Sequence, residues 1–251
     1  MGESLNGRNG GLIMGRNAVK EAIASDPSRI ERLYIQDGLR GASAQAVFDL
    51  AREYGVHFEM TDRNRLDILT KYGHHQGVVA LVTEHSYATV EDILEAARTK
   101  GEDPFIFVLD GIEDPHNLGA IIRTANVCGA HGVILPKRRA CHINATVAAA
   151  SAGATSHTPV AMVVNLSRTI DELKSRGLWF VCADLDGDVM YDVDLKGAIG
   201  LVIGNEGEGV SELVKSKCDF VATIPMKGEI NSLNASVAAG VLAYEIVRQR
   251  R

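Results

Sequence analysis

From residue 105 onwards, short segments that are hydrophobic at every position alternate with longer segments that carry hydrophobic residues at helical spacing. Strands that are apolar throughout, rather than at alternate positions, are typical of a parallel sheet covered on both faces. We therefore predict strands at 105–109, 133–135, 160–164, 179–183, 201–203 and 220–224. The helices are predicted at 118–127, 144–156, 169–175, 211–216 and 234–249. This order of elements predicts a doubly wound α/β domain.

The first 85 residues show a shorter version of the same alternation. Helices are predicted at 16–24, 43–54 and 63–72, and strands at 32–35, 56–60 and 78–82. Residues 1–11 are polar and rich in glycine, so we expect a loose start without a signal peptide. Residues 86–103 form a connecting segment in which Thr89 would cap a helix, with Asp92 three residues further on. Two α/β domains are thus predicted, at 1–85 and 104–251, joined by this linker.

Composition and charge restrict the class of protein without indicating a ligand. The chain has 251 residues, 46% of them hydrophobic, and no apolar run long enough to cross a membrane. A net charge of −6 argues against binding nucleic acid by bulk electrostatic attraction alone. The four cysteines are far apart, so we expect free thiols and no zinc site. Because the N-terminal residues do not resemble a signal peptide, we expect a cytoplasmic location. Residues 184–188 resemble a calcium loop, but Leu195 stands where that loop needs a glutamate, so no metal is expected.

Two predicted strands end in loops that are dense in glycine and small polar residues. One loop, 204–209, follows the strand at 201–203, and the other, 225–234, follows the strand at 220–224. Glycines allow the main chain to approach a ligand closely, and two such loops within about thirty residues favour a binding site over two ordinary turns. Polar side chains on the same rim are Asn205, Glu206, Ser232 and Asn234. The glycine spacing fits neither a dinucleotide motif nor a phosphate-binding loop.

Three further places have two possible interpretations each. Asn117 lies near a helix N-terminus with Arg123 six residues on, and this arginine is either a surface residue or a phosphate-binding group. The basic run 137–139 is either a solvated face or a contact with a nucleic-acid backbone. The loop 74–77 is either a polar surface turn or an RNA contact. The residues alone leave these alternatives open.

Taken together, segments 117–124, 203–209, 224–226 and 232–236 resemble the three ordered motifs of the SPOUT superfamily, TrmH/SpoU branch. Members of that branch are RNA ribose 2'-O-methyltransferases. Segments 15–19 and 75–78 are similar to the substrate-binding domain of the RlmB-type 23S rRNA guanosine enzymes, so the resemblance covers nearly the whole chain. It implies a C-terminal α/β trefoil-knot methyltransferase domain, preceded by a small ribosomal-protein-like α/β domain that binds RNA.

The resemblance also implies a cofactor, partners and site residues. S-adenosylmethionine is expected as the methyl donor, held by Gly204, Gly207, Ile224, Met226 and Leu233. The implied catalytic set is Asn117, Arg123, Glu206, Ser232 and Asn234. RNA contacts are expected from Arg16, His75, Gln76, Lys137, Arg138 and Arg139. The family's active site forms at a homodimer interface, so a homodimer is expected here.

The resemblance leaves two questions about the reaction open. The family's arginine at the position of Arg123 is proposed as the base, but a guanidinium is normally protonated. Arg123 could instead clamp a phosphate while Glu206 or a water takes the proton of the ribose 2'-hydroxyl. The expected substrate is a guanosine in 23S rRNA. The alternatives are the same chemistry on tRNA and a non-catalytic RNA-binding or ribosome-assembly protein.

Overall fold

The computed structural model describes residues 10–25, 27–83, 86–229 and 232–251. Two compact units divide between Ser86 and Tyr87, and we call them the first and the second unit. Of the predicted loose start at 1–11, residues 1–9 lie outside the described residues, while residues 10 and 11 belong to a strand. Two residues of the second glycine-rich loop, Ile230 and Asn231, also lie outside the described residues.

The first unit is a four-stranded mixed sheet with helices packed on it. Its elements are β1 (Gly10–Met14), α1 (Arg16–Ser25), β2 (Ile30–Gln36), α2 (Ala42–Glu53), β3 (Phe58–Thr61), α3 (Arg63–Leu69) and β4 (Val78–Thr83). The strand order is β1-β4-β2-β3. Strands β1 and β2 run antiparallel to β4, while β3 runs parallel to β2. The core joins Val19 and Ile23 of α1 to Leu33, Val47 and Val78.

The first unit differs from the predicted elements chiefly in two places. Strand β1 was not predicted, because it is a short edge strand whose Leu12 and Met14 side chains remain partly exposed. Helix α3 was predicted to reach residue 72 but ends at Leu69. The chain leaves the helix there because Lys71 and Tyr72 adopt positive φ angles of 52° and 63°.

The second unit is a six-stranded sheet covered by helices. Its elements are α4 (Val90–Lys100), β5 (Phe105–Asp110), α5 (Pro115–Val127), β6 (Gly132–Pro136), α6 (Ala145–Ala150), β7 (Val160–Val163), α7 (Leu166–Lys174), β8 (Trp179–Val189), β9 (Ile199–Gly204), α8 (Glu212–Lys215), β10 (Phe220–Thr223) and α9 (Ala235–Gln249). The strand order is β10-β8-β9-β5-β6-β7, and all five neighbouring pairs are parallel. The prediction of a parallel α/β sheet is confirmed.

Alternate side chains of each central strand pack into two separate hydrophobic cores, one on each face of the sheet. Phe107 and Leu109 of β5 pack with α5, α6 and α9, whereas Ile106 and Val108 pack with α4, α7 and α8. Both faces are therefore buried, which is why successive buried positions of these strands are all apolar. Helix α4, which the sequence placed in a linker, buries Ile93 in the second core. Its predicted cap is present as a capping box between Thr89 and Asp92.

Two elements of the second unit depart most from their predicted lengths. Strand β8 continues to Val189 because the β10 pairing shifts register between Val221 and Ala222. This close crossing requires Gly187, since a Cβ there would lie 2.4 Å from the Val221 carbonyl oxygen. The helix predicted at 144–156 ends at Ala150, and Ala152 interrupts it with a φ of 50°. Residues 184–188 are thus part of a strand rather than a loop.

All four cysteines are free thiols, as expected: Cys128, Cys141, Cys182 and Cys218. Burial raises the pKa of the Cys128 thiol to about 11, so this group stays protonated at neutral pH. Among the described residues, no helix is long and apolar enough to cross a membrane.

His131, just before β6, is buried and accepts a hydrogen bond from the main chain. The Phe105 N–H donates to its Nδ1 at 3.0 Å, so the neutral ring carries its hydrogen on Nε2, 3.2 Å from a Glu102 carboxylate oxygen. Burial lowers the pKa of His131, and the charges of Lys100 and Arg250 act in the same direction against the pull of Glu102. The folded protein therefore resists protonating this ring.

We expect the melting temperature to fall as the pH is lowered from about 7.5 to about 5.5, because the unfolded state then binds the His131 proton more readily. The variant His131→Asn keeps an acceptor for the Phe105 amide and removes the titrating ring, so its melting temperature should fall less. Calorimetry on both proteins at both pH values measures this difference. An equal fall in the variant would show that His131 is not responsible.

Candidate functional site

The loop after β9 closes on itself through its backbone. The Gly209 N–H donates to the Asn205 carbonyl at 3.1 Å. The Asn205 side-chain oxygen accepts from the N–H groups of Gly207 at 2.9 Å and Glu208 at 2.7 Å. A Cβ on Gly204 would lie 2.0 Å from the Gly209 carbonyl carbon, so only glycine fits at the start of the loop. The loop thereby presents main-chain groups at the carboxyl edge of the sheet.

A cavity of about 380 Å³ lies beside this loop. It is lined by every residue that the resemblance assigned to the cofactor: Gly204, Gly207, Ile224, Met226 and Leu233. Glu206 and Ser232, assigned to catalysis, line it as well. Residues distant in sequence meet here because β9 and the chain after β10 reach the same edge of the sheet.

The other wall of the cavity comes from residues 183–185 of β8. The Asp184 carboxylate is held there by Lys215, whose Nζ lies 2.9 Å from Asp184 and 2.7 Å from Asp186. The two carboxylates, Asp186 foremost, raise the pKa of Lys215 above its usual range. The sequence pattern did not point to this wall, since Asp184 and Asp186 stood out only as a poor match to a calcium loop.

Asp110 and Ser211 fix the far end of the loop and were also missed. The Asp110 carboxylate, at the end of β5, accepts from the Ser211 N–H at 2.9 Å and from its hydroxyl at 2.6 Å. Both residues lie outside the motif segments, and 101 positions separate them in sequence. An aspartate that directly follows a buried strand was the available signal, because such positions lie at the edge where parallel-sheet sites form.

A hydrogen-bond network joins three of the candidate catalytic residues. Asn117, at the start of α5, donates from Nδ2 to Glu206 Oε1 at 2.9 Å. Asn234 donates from Nδ2 to Asn117 Oδ1, also at 2.9 Å, and to the same Glu206 oxygen. The second Glu206 oxygen, Oε2, accepts no hydrogen bond from the residues that the structure describes. The network thus holds a carboxylate at the cavity with one oxygen still available.

The Asn234 amide has a defined orientation because it also caps α9. Its Oδ1 accepts from the N–H groups of Ser236 at 2.9 Å and Val237 at 3.3 Å. The nitrogen must therefore face Asn117 and Glu206, where both contacts require a donor. One side chain thus serves the helix cap and the site network at once.

Arg123 does not join this network. Six residues carry it about 240° around α5 from Asn117 and about 9 Å along the helix axis. Its side chain is exposed, and none of the described residues forms a hydrogen bond or ion pair with it. The basic run Lys137 to Arg139 directly follows β6, so it lies at the same carboxyl edge of the sheet as the cavity. Both features leave positive charge exposed for an anionic partner.

In the first unit, Arg16 and Gln76 contact each other. The Arg16 N–H donates to Gln76 Oε1 at 3.3 Å, and Arg16 Nε donates to the Gln76 carbonyl at 3.1 Å. His75 is buried instead of exposed. The Gly77 N–H donates to its Nδ1 at 3.0 Å, so its Nε2 carries the hydrogen and donates to Asp67 at 2.8 Å. His75 therefore supports the loop from inside and does not offer its ring to a ligand.

Comparison with known proteins identifies the family. Residues 104–244 match the family model described as the SpoU rRNA Methylase family, which is more than half of the chain. The chain belongs to the SpoU rRNA Methylase family. It is 46% identical over 239 residues, 95% of each chain, to Bacillus subtilis (strain 168) YacO, which is assigned to the TrmH family of tRNA/rRNA methyltransferases.

Two solved structures of SpoU proteins resemble the chain. AviRb from Streptomyces viridochromogenes, a SpoU methyltransferase in complex with AdoMet, is 27% identical with a TM-score of 0.60. That alignment covers 97% of this chain and 91% of AviRb. A TrmH/SpoU tRNA modifying enzyme of A. aeolicus is 30% identical with a TM-score of 0.54, covering 63% of this chain and 83% of that one. The expected TrmH/SpoU branch is confirmed, and the chain is an RNA methyltransferase.

The first unit of this SpoU family member also has a match of its own. Residues 12–88 match the model described as RNA 2'-O ribose methyltransferase substrate binding. The chain therefore combines an N-terminal substrate-binding domain with a SpoU methyltransferase domain. RNA is its partner, and the contacts of Arg16 and Gln76 lie in the domain whose family binds that substrate.

Proposed function

We propose that this protein transfers a methyl group from S-adenosylmethionine to a ribose 2'-hydroxyl of RNA. The observation that carries the proposal is the cavity of about 380 Å³, where all five expected cofactor residues meet beside the Asn117–Glu206–Asn234 network. The loop at Gly204 fits the cofactor, because it lines the cavity with glycines and closes so tightly on Gly209 that no Cβ can be placed on Gly204. When bound, S-adenosylmethionine supplies a methyl group already activated by its sulfonium.

The chain's own residues then have to position the ribose and remove its proton. A ribose hydroxyl is a poor nucleophile until that proton leaves, so alignment and proton transfer account for most of the rate enhancement. We assign the proton to Glu206, whose Oε1 is held by two amides while Oε2 remains open at the cavity. The Arg123 guanidinium binds the phosphate of the target nucleotide. Ser232, at the cavity, orients the nucleotide.

The variant Asn234→Asp isolates the network from the helix cap. Aspartate caps α9 as well as asparagine does, but it cannot donate and places a second carboxylate against Glu206. We expect kcat to fall about 100-fold with little change in melting temperature. Methyl transfer at saturating RNA, together with thermal unfolding, measures both. Unchanged kcat in a folded Asn234→Asp protein would exclude the network from the reaction.

We further propose that the protein acts as a homodimer with a trefoil knot in the second unit, as the family resemblance implies. Three large apolar side chains support a dimer because they are exposed on α5 and α9: Val127, Val237 and Tyr244. Arg123 lies exposed on α5 without a partner among the described residues, so a second copy of the chain could complete its surroundings.

The four free thiols fit a reducing compartment, and we propose the cytoplasm.

For the substrate, we propose a guanosine of 23S rRNA. The substrate-binding domain at residues 12–88 supports an rRNA target, because the family resemblance implies that the simpler tRNA enzymes of this branch lack such a domain. Beyond Arg16 and Gln76, the basic run Lys137 to Arg139 offers charge to the RNA backbone at the edge of the sheet where the cavity lies. We assign these side chains to RNA binding and give His75 a supporting role.

The test is methyl transfer from labelled S-adenosylmethionine to total rRNA and, separately, to tRNA, followed by digestion and identification of the labelled nucleoside. Label in 2'-O-methylguanosine from 23S rRNA is the expected result. If only tRNA is labelled, the proposed reaction is correct but the proposed rRNA substrate is wrong. If the protein binds S-adenosylmethionine but labels neither RNA, then neither free rRNA nor free tRNA is the substrate. If the protein does not bind S-adenosylmethionine, the remaining hypothesis is a non-catalytic RNA-binding protein.

A further inference from the structure

The loop between α3 and β4 holds an exposed tyrosine in an unfavourable backbone conformation. Tyr72 follows Lys71, and both have positive φ angles, 63° and 52°. Positive φ is uncommon for any side chain other than glycine and costs free energy for a bulky one. Burial does not compensate, because Tyr72 is 81% exposed. Its ring has no aromatic partner among the residues that the structure describes.

Hydrogen bonds within the loop hold this conformation in place. The Tyr72 N–H donates to the Asp67 carbonyl at 2.6 Å. The Asp67 carboxylate accepts from buried His75, whose other ring nitrogen accepts from the Gly77 N–H. Gly77 itself has a φ of 79°, and a Cβ there would lie 2.6 Å from Leu39. The interior of the loop is therefore built so that the Tyr72 ring projects into solvent, which favours a role in binding.

Tyr72 borders an open groove of the first unit, with a volume of about 860 Å³. Two arginines line it, Arg16 and Arg63. Arg63 is 73% exposed, and its Nε lies 3.8 Å from the carboxylate of Asp67, which also lines the groove and accepts a hydrogen bond from His75. Neutral side chains that can donate or accept hydrogen bonds line the groove as well: Asn17, Gln36 and Ser43. An exposed aromatic ring, two guanidinium groups and neutral polar groups are what a nucleotide requires.

We propose that this groove binds an unpaired nucleotide of the RNA substrate, with its base stacked on Tyr72 and its phosphate at Arg16 and Arg63. The proposal rests on the proposed function in that RNA is the ligand, and it specifies the form of RNA that is recognised. A paired base cannot stack on a protruding side chain, because its faces are covered within the A-form helix. The substrate therefore presents a single-stranded loop or bulge to the first unit.

The test uses the full chain and an RNA hairpin that carries 2-aminopurine in its loop, with the same sequence closed in a duplex for comparison. Fluorescence titration at constant ionic strength gives the affinity. We expect Tyr72→Ala to bind the hairpin about ten-fold more weakly, and Tyr72→Phe, which keeps the ring, to bind within about two-fold of the unsubstituted protein. The matched control is Tyr54→Ala, since Tyr54 is 40% exposed in the same unit but does not line the groove.

Several outcomes would overturn the proposal. If Tyr72→Ala binds the hairpin with the same affinity as the unsubstituted protein, Tyr72 does not take part in binding. If Tyr72→Ala and Tyr72→Phe lose the same amount of hairpin affinity, the base does not stack on the ring. If Tyr72→Ala loses as much affinity for the duplex as for the hairpin, or if Tyr54→Ala loses as much hairpin affinity as Tyr72→Ala, then this groove does not recognise an unpaired base. The affinity measurement needs no methyl transfer. If the unsubstituted protein binds no S-adenosylmethionine, the proposed function fails, and the titrations still decide what the groove binds.

Discussion

Replacing Arg123 with alanine is expected to lower kcat for methyl transfer to RNA about 100-fold or more, while the affinity for S-adenosylmethionine stays unchanged. The reason is position, because Arg123 lies exposed on α5 outside the cavity, where it can reach an RNA phosphate but does not line the cofactor pocket. Single-turnover transfer and cofactor titration on the same preparation measure the two effects separately.

Two further variants sharpen this result. Arg123→Lys keeps the charge but loses the bidentate geometry, so it should recover only part of the rate. Arg138→Ala removes a positive charge from the basic run and should raise KM for RNA without changing kcat. If Arg123→Ala instead lost cofactor binding along with activity, the arginine would be holding the pocket, and its assignment to the RNA phosphate would be wrong.

Gly204→Ala is expected to abolish binding of S-adenosylmethionine. A single methyl group at this position would lie 2.0 Å from the carbonyl carbon of Gly209 and 2.2 Å from the nitrogen of Val210. Because these are main-chain atoms, the loop has to open, and the backbone cradle is lost with it. Isothermal titration with the cofactor measures the loss, and far-ultraviolet circular dichroism checks that the rest of the domain remains folded.

The matched control is Gly228→Ala in the neighbouring loop. A Cβ on Gly228 meets no atom within 4 Å among the described residues, and Gly228 does not line the cavity. This variant should therefore bind the cofactor with affinity within about two-fold of the unsubstituted protein. Cofactor binding by Gly204→Ala at the unsubstituted affinity would contradict the cradle, and an equal loss in both variants would show that neither loop is specific.

Most strands and helices of the second unit could be predicted, because a strand that is buried on both faces has consecutive apolar residues in the sequence. Strands β6 and β9 are apolar at every position, and so is β5 before its last residue, Asp110, since alternate residues supply the two cores. The Thr89 cap was also predictable, because it depends on a partner only three residues away. Strand β1 was missed, since an edge strand with one open side needs no strong apolar pattern.

The candidate site was predictable as a set of residues but not as an arrangement. The motif segments named Asn117, Glu206 and Asn234, yet their hydrogen bonds join positions 89 and 117 residues apart. The inward position of His75 was equally hidden, because it depends on a bond to Asp67 in the preceding helix. A polar loop pattern does not indicate which of its side chains faces inward.

By itself, the sequence determined the parallel α/β sheet, the two glycine-rich loops at its edge and the family, because each depends on local residue type and spacing. Tertiary structure alone decided that β8 extends to Val189 and walls the cavity, that Asn234 caps α9 while donating to Glu206, and that Tyr72 projects into solvent. These features depend on strand register and loop closure. They form only when distant segments pack together, and no local pattern encodes that packing.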